Sequence, residues 1–355
     1  MRRLPITWGT HNEVLPMGNA FGYTAASVNL REALRRRSDV ELVDDGPIVV
    51  HVCHPWTYRP QHWPFARNVL LTMYEVFPAP PEFSAAIAQA DALLVPCLWV
   101  GRLFGTVRLP EGTRRPPILV SPLGFDPKRF PIVEDRVPPR ATSRDPFRWL
   151  WIGAANERKG HKILLDEWFA FSDVDWMQLY MKTTRHDSDH ARARRIVEGN
   201  VIYDERMLTR DAMRELYTRA NAFVFPSMGE GFGLTALEAA ATGLPIVTVN
   251  HSGMSDFLRE RDGATFVPFQ LHTIGTSQGL TARGVRTVPG ALGQSMIDVM
   301  RNYSAHLRAA RKGARRLHRE WTWDAAAARL VANLRRLSAC GWKQPEGSAP
   351  ESWAA

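Results

Sequence analysis

The fold is decided by one stretch of the sequence, Phe225-Pro226-Ser227-Met228-Gly229-Glu230-Gly231-Phe232-Gly233-Leu234-Thr235-Ala236-Leu237-Glu238. It begins in a short apolar run of strand-forming residues, 222–225, and leads into a helix-forming run, 234–242, that ends at Gly243. Glycines lie between the two runs, and glycine lets backbone N–H groups approach an anion closely. The helix start adds unpaired donors and a positive dipole end. The stretch therefore predicts a strand, a phosphate-binding turn and a helix.

Two carboxylates flank the start of this helix. Glu230 lies in the turn, and Glu238 lies about a turn and a half inside the helix, at roughly 3.6 residues per turn. A carboxylate accepts two or more hydrogen bonds and donates none, which suits the vicinal hydroxyls of a ribose or a hexose. The alternative is an ordinary crossover in which both glutamates only favour the helix N-terminus electrostatically.

The spacing of this pair resembles the carboxylate pair, seven residues apart, of the retaining nucleotide-sugar glycosyltransferases of family 4, which have the GT-B fold. The resemblance extends along most of the chain. Its further motifs, in the family's order, are Asn19-Ala20-Phe21-Gly22-Tyr23, Val95-Pro96-Cys97-Leu98-Trp99, Pro122-Leu123-Gly124-Phe125-Asp126 and Arg158-Lys159-Gly160. The resemblance implies an α/β chain with two Rossmann-like parallel-sheet domains facing across a cleft, and a C-terminal helix that crosses back to the N-domain.

Length and composition fit two domains. The 355 residues, 45% of them hydrophobic, exceed the roughly 250–300 residues at which single cores stop growing. Apolar runs that alternate with helical patterns predict parallel sheets covered by helices. The segment 130–147 is rich in proline, has no apolar period and is interpreted as a linker. The predicted parts are an N-terminal acceptor domain (1–140), a nucleotide-sugar donor domain (147–322), a crossover helix (323–338) and a loose tail (339–355).

The resemblance also implies roles for the donor-domain residues. Lys159 and Lys182, each after a predicted strand, would neutralise charge on the departing diphosphate, and Arg158 would assist them. Glu230 would orient the transferred sugar as a further catalytic residue, and Glu238 would hold the ribose. For Lys182 in particular, ordinary solvent exposure stays an open alternative. The other predicted donor contacts come from the backbone of Gly231, Phe232, Gly233 and Leu234.

The first domain is expected to bind the acceptor. A loop containing Gly18, Asn19, Gly22 and Tyr23 is predicted to close over the donor and to position the acceptor, with a plain turn as the alternative. His54 and Glu75 lie at predicted strand ends where either could touch the acceptor. Sequence spacing cannot supply the geometry that would select a general base.

Two departures from the family's pattern affect the phosphate contacts. Related enzymes commonly have arginine after the glycine that ends the first strand of the donor domain, whereas this chain has Gly153-Ala154. The missing cation must come from Arg158 or Lys182, or be absent. Ser252 stands for a usual glycine, and Asp256 stands for a usual glutamate.

Family precedent implies retention of the anomeric configuration without a covalent carboxylate intermediate, and no cofactor. The central motif lacks an Asp-x-Asp metal site, so metal independence is predicted. His51 and His54 flank Cys53, but the sequence shows no second cluster of metal ligands. The odd number of widely spaced cysteines, Cys53, Cys97 and Cys340, indicates reduced thiols.

The net charge of +9 indicates an anionic partner or surrounding. Six basic residues recur at steps of three or four on one predicted helix, either as a solvated face or as a docking surface for anionic lipid or nucleic acid. They are Arg308, Arg311, Lys312, Arg315, Arg316 and Arg319. Without a run of ~18 apolar residues or a signal-peptide core, the chain is expected to be cytoplasmic, with peripheral membrane contact left open.

Three interpretations of the activity stay open. In the first, the chain is a glycosyltransferase whose acceptor is a cell-envelope or lipid-linked glycan or another anionic substrate. In the second, the acceptor is a hydroxylated base in DNA, as for some phage glycosyltransferases of this fold. A catalytically silent nucleotide-sugar-binding protein is the third. The donor's base and sugar, the linkage and the oligomeric state are not fixed by the sequence.

Overall fold

The computed structural model describes residues 3–9, 21–183, 194–275, 281–340 and 342. The chain forms two compact units. Unit 1 comprises Met1–Gly124 and Trp323–Ala355, and unit 2 comprises Phe125–Thr322. Each unit contains a largely parallel sheet with helices, which is the α/β class that the alternating pattern predicts.

Unit 1 is built on a six-stranded sheet. Its strands are β1 (Leu4–Trp8), β2 (Val40–Leu42), β3 (Ile48–Val52), β4 (Arg67–Leu71), β5 (Ala92–Val95) and β6 (Ile118–Val120), and its helices are α1 (Phe21–Arg35), α2 (Phe83–Gln89), α3 (Leu98–Gly105) and, from the C-terminal part of the chain, α9 (Trp323–Cys340). The strand order is β2-β1-β3-β4-β5-β6, all parallel. Strand β3 is buried at every position, as expected for a parallel strand covered on both faces.

The last helix packs within unit 1, as the fold class predicts. Helix α9 packs against α1. Near its start, Asp324 pairs with Arg36 at 2.6 Å. Further along, Asn333 donates to the carbonyl of Val120 at 2.9 Å, and Arg335 pairs with Asp39 at 3.0 Å. These contacts tie the C-terminal helix to the N-terminal sheet unit.

Unit 2 is built on a seven-stranded sheet. Its strands are β7 (Phe147–Ile152), β8 (Met177–Lys182), β9 (Arg195–Glu198), β10 (Val201–Asp204), β11 (Ala222–Phe225), β12 (Ile246–Thr248) and β13 (Ala264–Phe266), and its helices are α4 (His161–Trp168), α5 (Arg210–Arg219), α6 (Leu234–Ala241), α7 (Ala291–Arg301) and α8 (Tyr303–Glu320). The order is β13-β12-β11-β7-β8-β10-β9, and only β9 among these strands pairs antiparallel. A separate hairpin joins β14 (Phe269–Gly275) to β15 (Thr281–Thr287).

The segment interpreted from the sequence as a linker lies within unit 2. Arg136 is buried there, and its guanidinium donates to the carbonyls of Tyr217 at 3.1 Å, Thr218 at 3.2 Å and Ala220. These are carbonyls at the C-terminal end of α5, which the helix itself leaves without donors. Arg136 therefore caps α5 and fastens the segment to the sheet unit.

The start of α1 differs from the prediction. The amphipathic pattern of residues 28–37 predicts a helix over that range, whereas α1 begins at Phe21 and ends at Arg35. Gly22 and Tyr23, predicted as part of a flexible loop, are therefore in the first turn of a helix. The Tyr23 hydroxyl lies 3.0 Å from Thr72 Oγ1 and donates to the Met73 carbonyl at 2.6 Å. These tertiary bonds stabilise a helical turn that a glycine disfavours.

Three of the six basic residues predicted to form a row on α8 make hydrogen bonds or ion pairs within unit 2. Arg311 donates to the carbonyl of Arg136 at 2.6 Å, Arg315 pairs with Glu134 at 2.9 Å, and Arg316 pairs with Asp262 at 2.8 Å. Arg316 is buried, and it also donates to the Phe257 carbonyl at 2.6 Å. The predicted basic row is therefore not a uniform solvated face. In the described part of the chain, no helix is both long and apolar enough to cross a bilayer.

Candidate active site

Two turns at one edge of the unit 2 sheet bring the predicted donor residues together. Strands β7 and β11 are parallel neighbours, so the turns at their carboxyl ends lie side by side. The turn after β7 carries Arg158 and Lys159, and the turn after β11 carries Glu230. Several hydrogen bonds join the turns. Met228 N–H and the Ser227 hydroxyl donate to the Arg158 carbonyl at 2.7 and 3.2 Å, and an Arg158 nitrogen donates to the Gly229 carbonyl at 2.6 Å.

Glu230 is the buried centre of this arrangement. Its Oε1 accepts hydrogen bonds from Lys159 Nζ at 2.6 Å, from Arg158 at 3.3 Å and from the Ser227 hydroxyl at 2.6 Å. The Glu230 side chain is 7% exposed, and those of Lys159 and Arg158 are 17% and 21% exposed. A carboxylate and two cations thus share a largely desolvated corner, where electrostatic interactions are stronger than in water.

The charge state of Glu230 follows from opposing effects. Burial alone would raise the pKa of this carboxyl, because a buried charge loses solvation. The positive charges of Lys159 and Arg158, with the hydrogen bonds from Lys159 and Ser227, outweigh burial and hold the pKa below its ordinary value. Glu230 is therefore an anion at neutral pH, and it keeps both cations in place.

Backbone geometry at Gly160 and Gly233 shapes the two turns. Gly160 has φ +69°, and a Cβ there would overlap the carbonyl oxygen of Pro226 and lie 2.8 Å from its carbon. Gly233 has φ +96° and would place a Cβ 2.7 Å from Met254 Cγ. It is the N-cap of α6, and among the described residues no side chain is hydrogen-bonded to this helix start. The first N–H groups of α6 and the positive end of its dipole therefore form a candidate anion-binding site.

The structure explains how a serine can occupy position 252, where related enzymes usually have glycine. Ser252 adopts φ +56°, the left-handed conformation for which glycine is the usual residue. Its hydroxyl accepts a hydrogen bond from Glu230 N–H at 2.9 Å, and the next residue, Gly253, donates to the Glu230 carbonyl at 3.0 Å. The serine therefore fixes the backbone of Glu230 through a contact that glycine cannot make.

Lys182 ends β8 at the same edge of the sheet, but its side chain is turned toward backbone. Nζ donates to the carbonyls of Thr183 at 2.5 Å and Asp204 at 3.2 Å, and the residue is 5% exposed. Burial lowers the pKa of this amine, and the nearby Asp204 carboxylate partly opposes the effect. The structure thus places Lys182 in a buried position and not in the solvent-exposed one of the alternative interpretation.

Glu238 is held by different partners from Glu230. Its Oε2 accepts a hydrogen bond from the hydroxyl of Tyr217, a buried residue of α5, at 2.8 Å. Burial raises the pKa of Glu238 to about 7, although the Tyr217 hydrogen bond and the charge of Arg129 oppose the rise. A carboxyl with such a pKa is half-protonated near neutrality, and its ionisation costs folding free energy.

Replacing Glu238 with glutamine is expected to stabilise the ligand-free protein at alkaline pH. The folded protein keeps the Glu238 proton up to about pH 7, whereas the unfolded chain releases it near pH 4.5. Stability of the wild type therefore falls as pH rises through this window, and a glutamine does not titrate. The advantage of Glu238→Gln should grow to on the order of 2–3 kcal/mol by pH 8.

Urea unfolding at pH 4.5, 6 and 8 measures this difference in the free energy of unfolding. Glu111→Gln, at an exposed carboxylate of unit 1, is the matched control and should show no such trend. An advantage of Glu238→Gln that is constant across the three pH values would contradict a half-buried carboxyl that retains its proton.

In unit 1, three of the predicted acceptor residues lie near one another. Tyr23 and His54 have ring centroids 5.9 Å apart, and the Glu75 carboxylate acts on Tyr23 electrostatically. Burial lowers the pKa of His54 to about 4, so its ring is neutral at physiological pH. The His54 ring stacks on the half-exposed Trp56 with centroids 4.2 Å apart. Gly18 and Asn19 lie outside the described residues.

Several residues that the sequence analysis missed support the site. Asn156 caps the turn before Lys159 by accepting from its N–H at 3.2 Å; its place three residues earlier is a recognisable capping signal. Ser227 lies three residues before Glu230 but matches no helix start. Tyr217 and Trp56 carry no local signal, because their roles depend on tertiary contacts.

Comparison of the sequence with known protein families identifies the family of this chain. The family described as "Family 4 Glycosyltransferase in conflict systems" matches residues 105–330, which is more than half of the chain. The chain belongs to this family of glycosyltransferases, as its motifs predict. Mannosylfructose-phosphate synthase of Agrobacterium fabrum is 24% identical over 237 residues, which cover 62% of this chain and 48% of that protein. The chain thus spans about half the length of this curated relative.

Solved structures confirm the GT-B fold class. Sucrose-phosphate synthase from Thermosynechococcus elongatus superposes with a TM-score of 0.66 at 14% identity, covering 96% of this chain and 100% of that one. Anabaena HepE, solved in complex with UDP and glucose, gives a TM-score of 0.63 at 10% identity, with coverages of 94% and 100%. At these identities the likeness establishes the fold alone.

Proposed function

We propose that this chain is a retaining glycosyltransferase that moves a sugar from a nucleotide-sugar donor to an acceptor hydroxyl. The observation that carries the proposal is the contact of Lys159 and Arg158 with buried Glu230, beside the uncapped start of α6. A diphosphate placed at this helix start would meet backbone N–H groups and two cations together. That is the arrangement that stabilises negative charge on a departing phosphate.

Each carboxylate has a separate role in this proposal. Within the described residues, the donors that contact the Glu230 side chain all meet Oε1, so Oε2 is the oxygen offered to a hydroxyl of the transferred sugar. Glu238 would accept a ribose hydroxyl beside Tyr217. Lys182 would add a third cation if it exchanged a backbone carbonyl for a phosphate oxygen. None of these roles requires a covalent bond to a carboxylate.

Neither a metal nor a cofactor is part of the proposed mechanism. The support is the central motif, which has cations and helix N–H groups in place of an Asp-x-Asp pair. Donor turnover should therefore persist in excess EDTA. A loss of turnover that Mg²⁺ or Mn²⁺ restores would contradict this part of the proposal.

The net charge of +9 is compatible with two classes of acceptor, both of them anionic or in anionic surroundings. The first is a cell-envelope or lipid-linked glycan or another anionic substrate, and the second is a hydroxylated base in DNA. Because Arg311, Arg315 and Arg316 contact partners within unit 2, only the exposed Arg308, Lys312 and Arg319 of the row remain for either surface. Liposome flotation against filter binding of duplex DNA separates the two classes, and binding to neither would favour a small acceptor.

A thermal-shift panel of UDP-, GDP-, ADP- and dTDP-sugars tests the donor. A ligand at ~100 times its dissociation constant should stabilise the protein by about 2.7 kcal/mol. The effective donor should then release nucleoside diphosphate in wild type and not in Glu230→Gln. Nuclear magnetic resonance of the product anomer tests retention. A panel without any shift would overturn the donor proposal, and binding without turnover would favour the catalytically silent alternative.

A further inference from the structure

One face of the unit 2 sheet carries a cavity that the proposed mechanism does not use. Its floor includes Leu150, Tyr180 and Ile202, which are cross-strand neighbours on β7, β8 and β10. The C-terminal turns of α5, including Leu216, lie over this floor, and the partly open cavity has a volume of about 270 Å³. The cavity also reaches the first residues of β7 and β8, whereas the candidate active site follows the carboxyl ends of the strands. Most of the cavity therefore lies away from the candidate active site, although Arg195 on its wall is the strand partner of Asp204 at the carboxyl end of β10.

The cavity lining is strongly basic. Arg148 comes from the start of β7, Arg195 from the start of β9, and Arg219 from the end of α5. Glu215, the one carboxylate among the described lining residues, pairs with Arg219 at 2.5 Å. Three arginines against one glutamate leave an excess of two positive charges. The excess fits a ligand that carries two negative charges.

The three arginines come from three different elements, so the basic charge is spread along the cavity wall. Tyr180 donates to Asp204 Oδ2 at 2.5 Å and lies within electrostatic range of Arg195, so one tyrosine links the cavity wall to the end of β10. Gln178 adds a neutral amide beside Arg148, its neighbour across β7 and β8. Guanidinium groups bind phosphate oxygens through paired N–H donors, and they do so better than a point charge does.

We propose that this cavity is a regulatory site for a phosphate dianion, either free or carried by a small ester. The two excess charges match the dianion. The apolar floor of Leu150, Ile202 and Leu216 would accommodate the short carbon chain of an ester. The site is independent of the donor diphosphate, because its basic side chains belong to other elements than Lys159 and Arg158.

Helix α5 connects the cavity to the candidate active site. Leu216 and Arg219 line the cavity, and Tyr217 in the same turn holds Glu238 at 2.8 Å. A ligand that bridges Arg219 to Arg148 fixes this turn against the sheet and thereby preorganises Glu238. Its binding should raise donor affinity by about 3–10-fold, and linkage requires that the donor raise the affinity for the dianion equally. This link rests on the proposed role of Glu238.

Binding is tested first, with inorganic phosphate and glycerol 3-phosphate as probes in thermal-shift titrations of the full chain. We expect a saturable rise in melting temperature that is lost in Arg148→Gln and kept in Arg144→Gln, an exposed arginine outside the cavity. The double variant Lys159→Met/Glu230→Gln, which disables the candidate active site, should keep it too. A response to phosphate alone identifies the free anion, and one to the ester alone identifies the ester.

Two results would overturn the site. One is the absence of a saturable shift with either probe. The other is a shift that survives in Arg148→Gln and disappears in the double variant, which would place the anion in the donor site. Neither measurement depends on glycosyl transfer. The binding test therefore remains valid even if the chain proves not to be a glycosyltransferase of the proposed kind.

Regulation is tested by calorimetry of whichever nucleoside diphosphate the donor panel selects. With saturating probe, its dissociation constant should fall about 3–10-fold in wild type and stay unchanged in Arg148→Gln, whose affinity without probe should equal that of wild type. An unchanged dissociation constant in wild type would overturn the regulatory role. Failure of every nucleotide to bind would instead count against the proposed function.

Discussion

Replacing Lys159 with methionine is expected to lower the rate of nucleoside diphosphate release by about 10²–10³-fold, the usual cost of losing one preorganised donor to a developing anion. Methionine keeps most of the side-chain volume and removes the ammonium group that lies 2.6 Å from Glu230. The effect should fall mainly on kcat, because charge on the leaving group is largest in the transition state. Steady-state kinetics with the donor selected by the thermal-shift panel measures it.

Stability must be separated from catalysis in this variant. Without Lys159, buried Glu230 retains only Arg158 as a cationic partner among the described contacts, and an under-compensated buried charge destabilises the fold. The double variant Lys159→Met/Glu230→Gln removes both charges and should recover melting temperature without recovering activity. Lys162→Met, at an exposed position of α4, is the matched control. Recovery of activity together with stability in the double variant would show that Lys159 is only structural.

Gly160→Ala is expected to lower the free energy of unfolding by at least about 3 kcal/mol. Part of this is the left-handed backbone, which costs an alanine roughly 1–2 kcal/mol. The rest is the overlap of the new methyl group with the Pro226 carbonyl, because a backbone carbonyl cannot rotate away as a side chain can. The turn carrying Lys159 would have to move from the turn carrying Glu230, so donor binding should weaken as well.

Gly199→Ala separates the two contributions. Gly199 also has a positive φ, +57°, but a Cβ there meets nothing within 4 Å. This variant should lose only the conformational share, about 1–2 kcal/mol, and should keep donor affinity. Urea unfolding and donor titration of both variants provide the comparison. Equal destabilisation by the two substitutions would show that contact with Pro226 does not constrain the active-site turns.

The central elements of unit 2 were predictable from local patterns. The apolar run 222–225 is strand β11, and the helix-forming run after it is α6, ending before a glycine in the left-handed conformation. The sequence pattern also predicts a strand over 48–52 and a helix over 303–320, and β3 and α8 have these bounds. These elements combine strong propensity with clear termini, so local and tertiary preferences agree.

The remaining features depend on contacts distant in sequence. The β14–β15 hairpin was not predicted, because its sequence has no regular alternation of apolar and polar residues. A tertiary contact also holds the hairpin in place, since Val285 N–H donates to the Met228 carbonyl at 2.9 Å. Tyr217 reaches Glu238 across 21 positions, and Lys182 turns to backbone carbonyls that only the folded sheet supplies. Of the three glycines in the central motif, only Gly233 has a positive φ, so the motif did not reveal which one shapes the turn.

The capping of α5 by Arg136 bears on how unit 2 should be isolated for biophysical work. An excised fragment starting at the first strand, residue 147, would lose the guanidinium that satisfies three carbonyls and would leave the end of that helix frayed. A fragment spanning Phe125–Thr322 retains it. Recombinant expression trials of this half should therefore place the amino-terminal cut at residue 125.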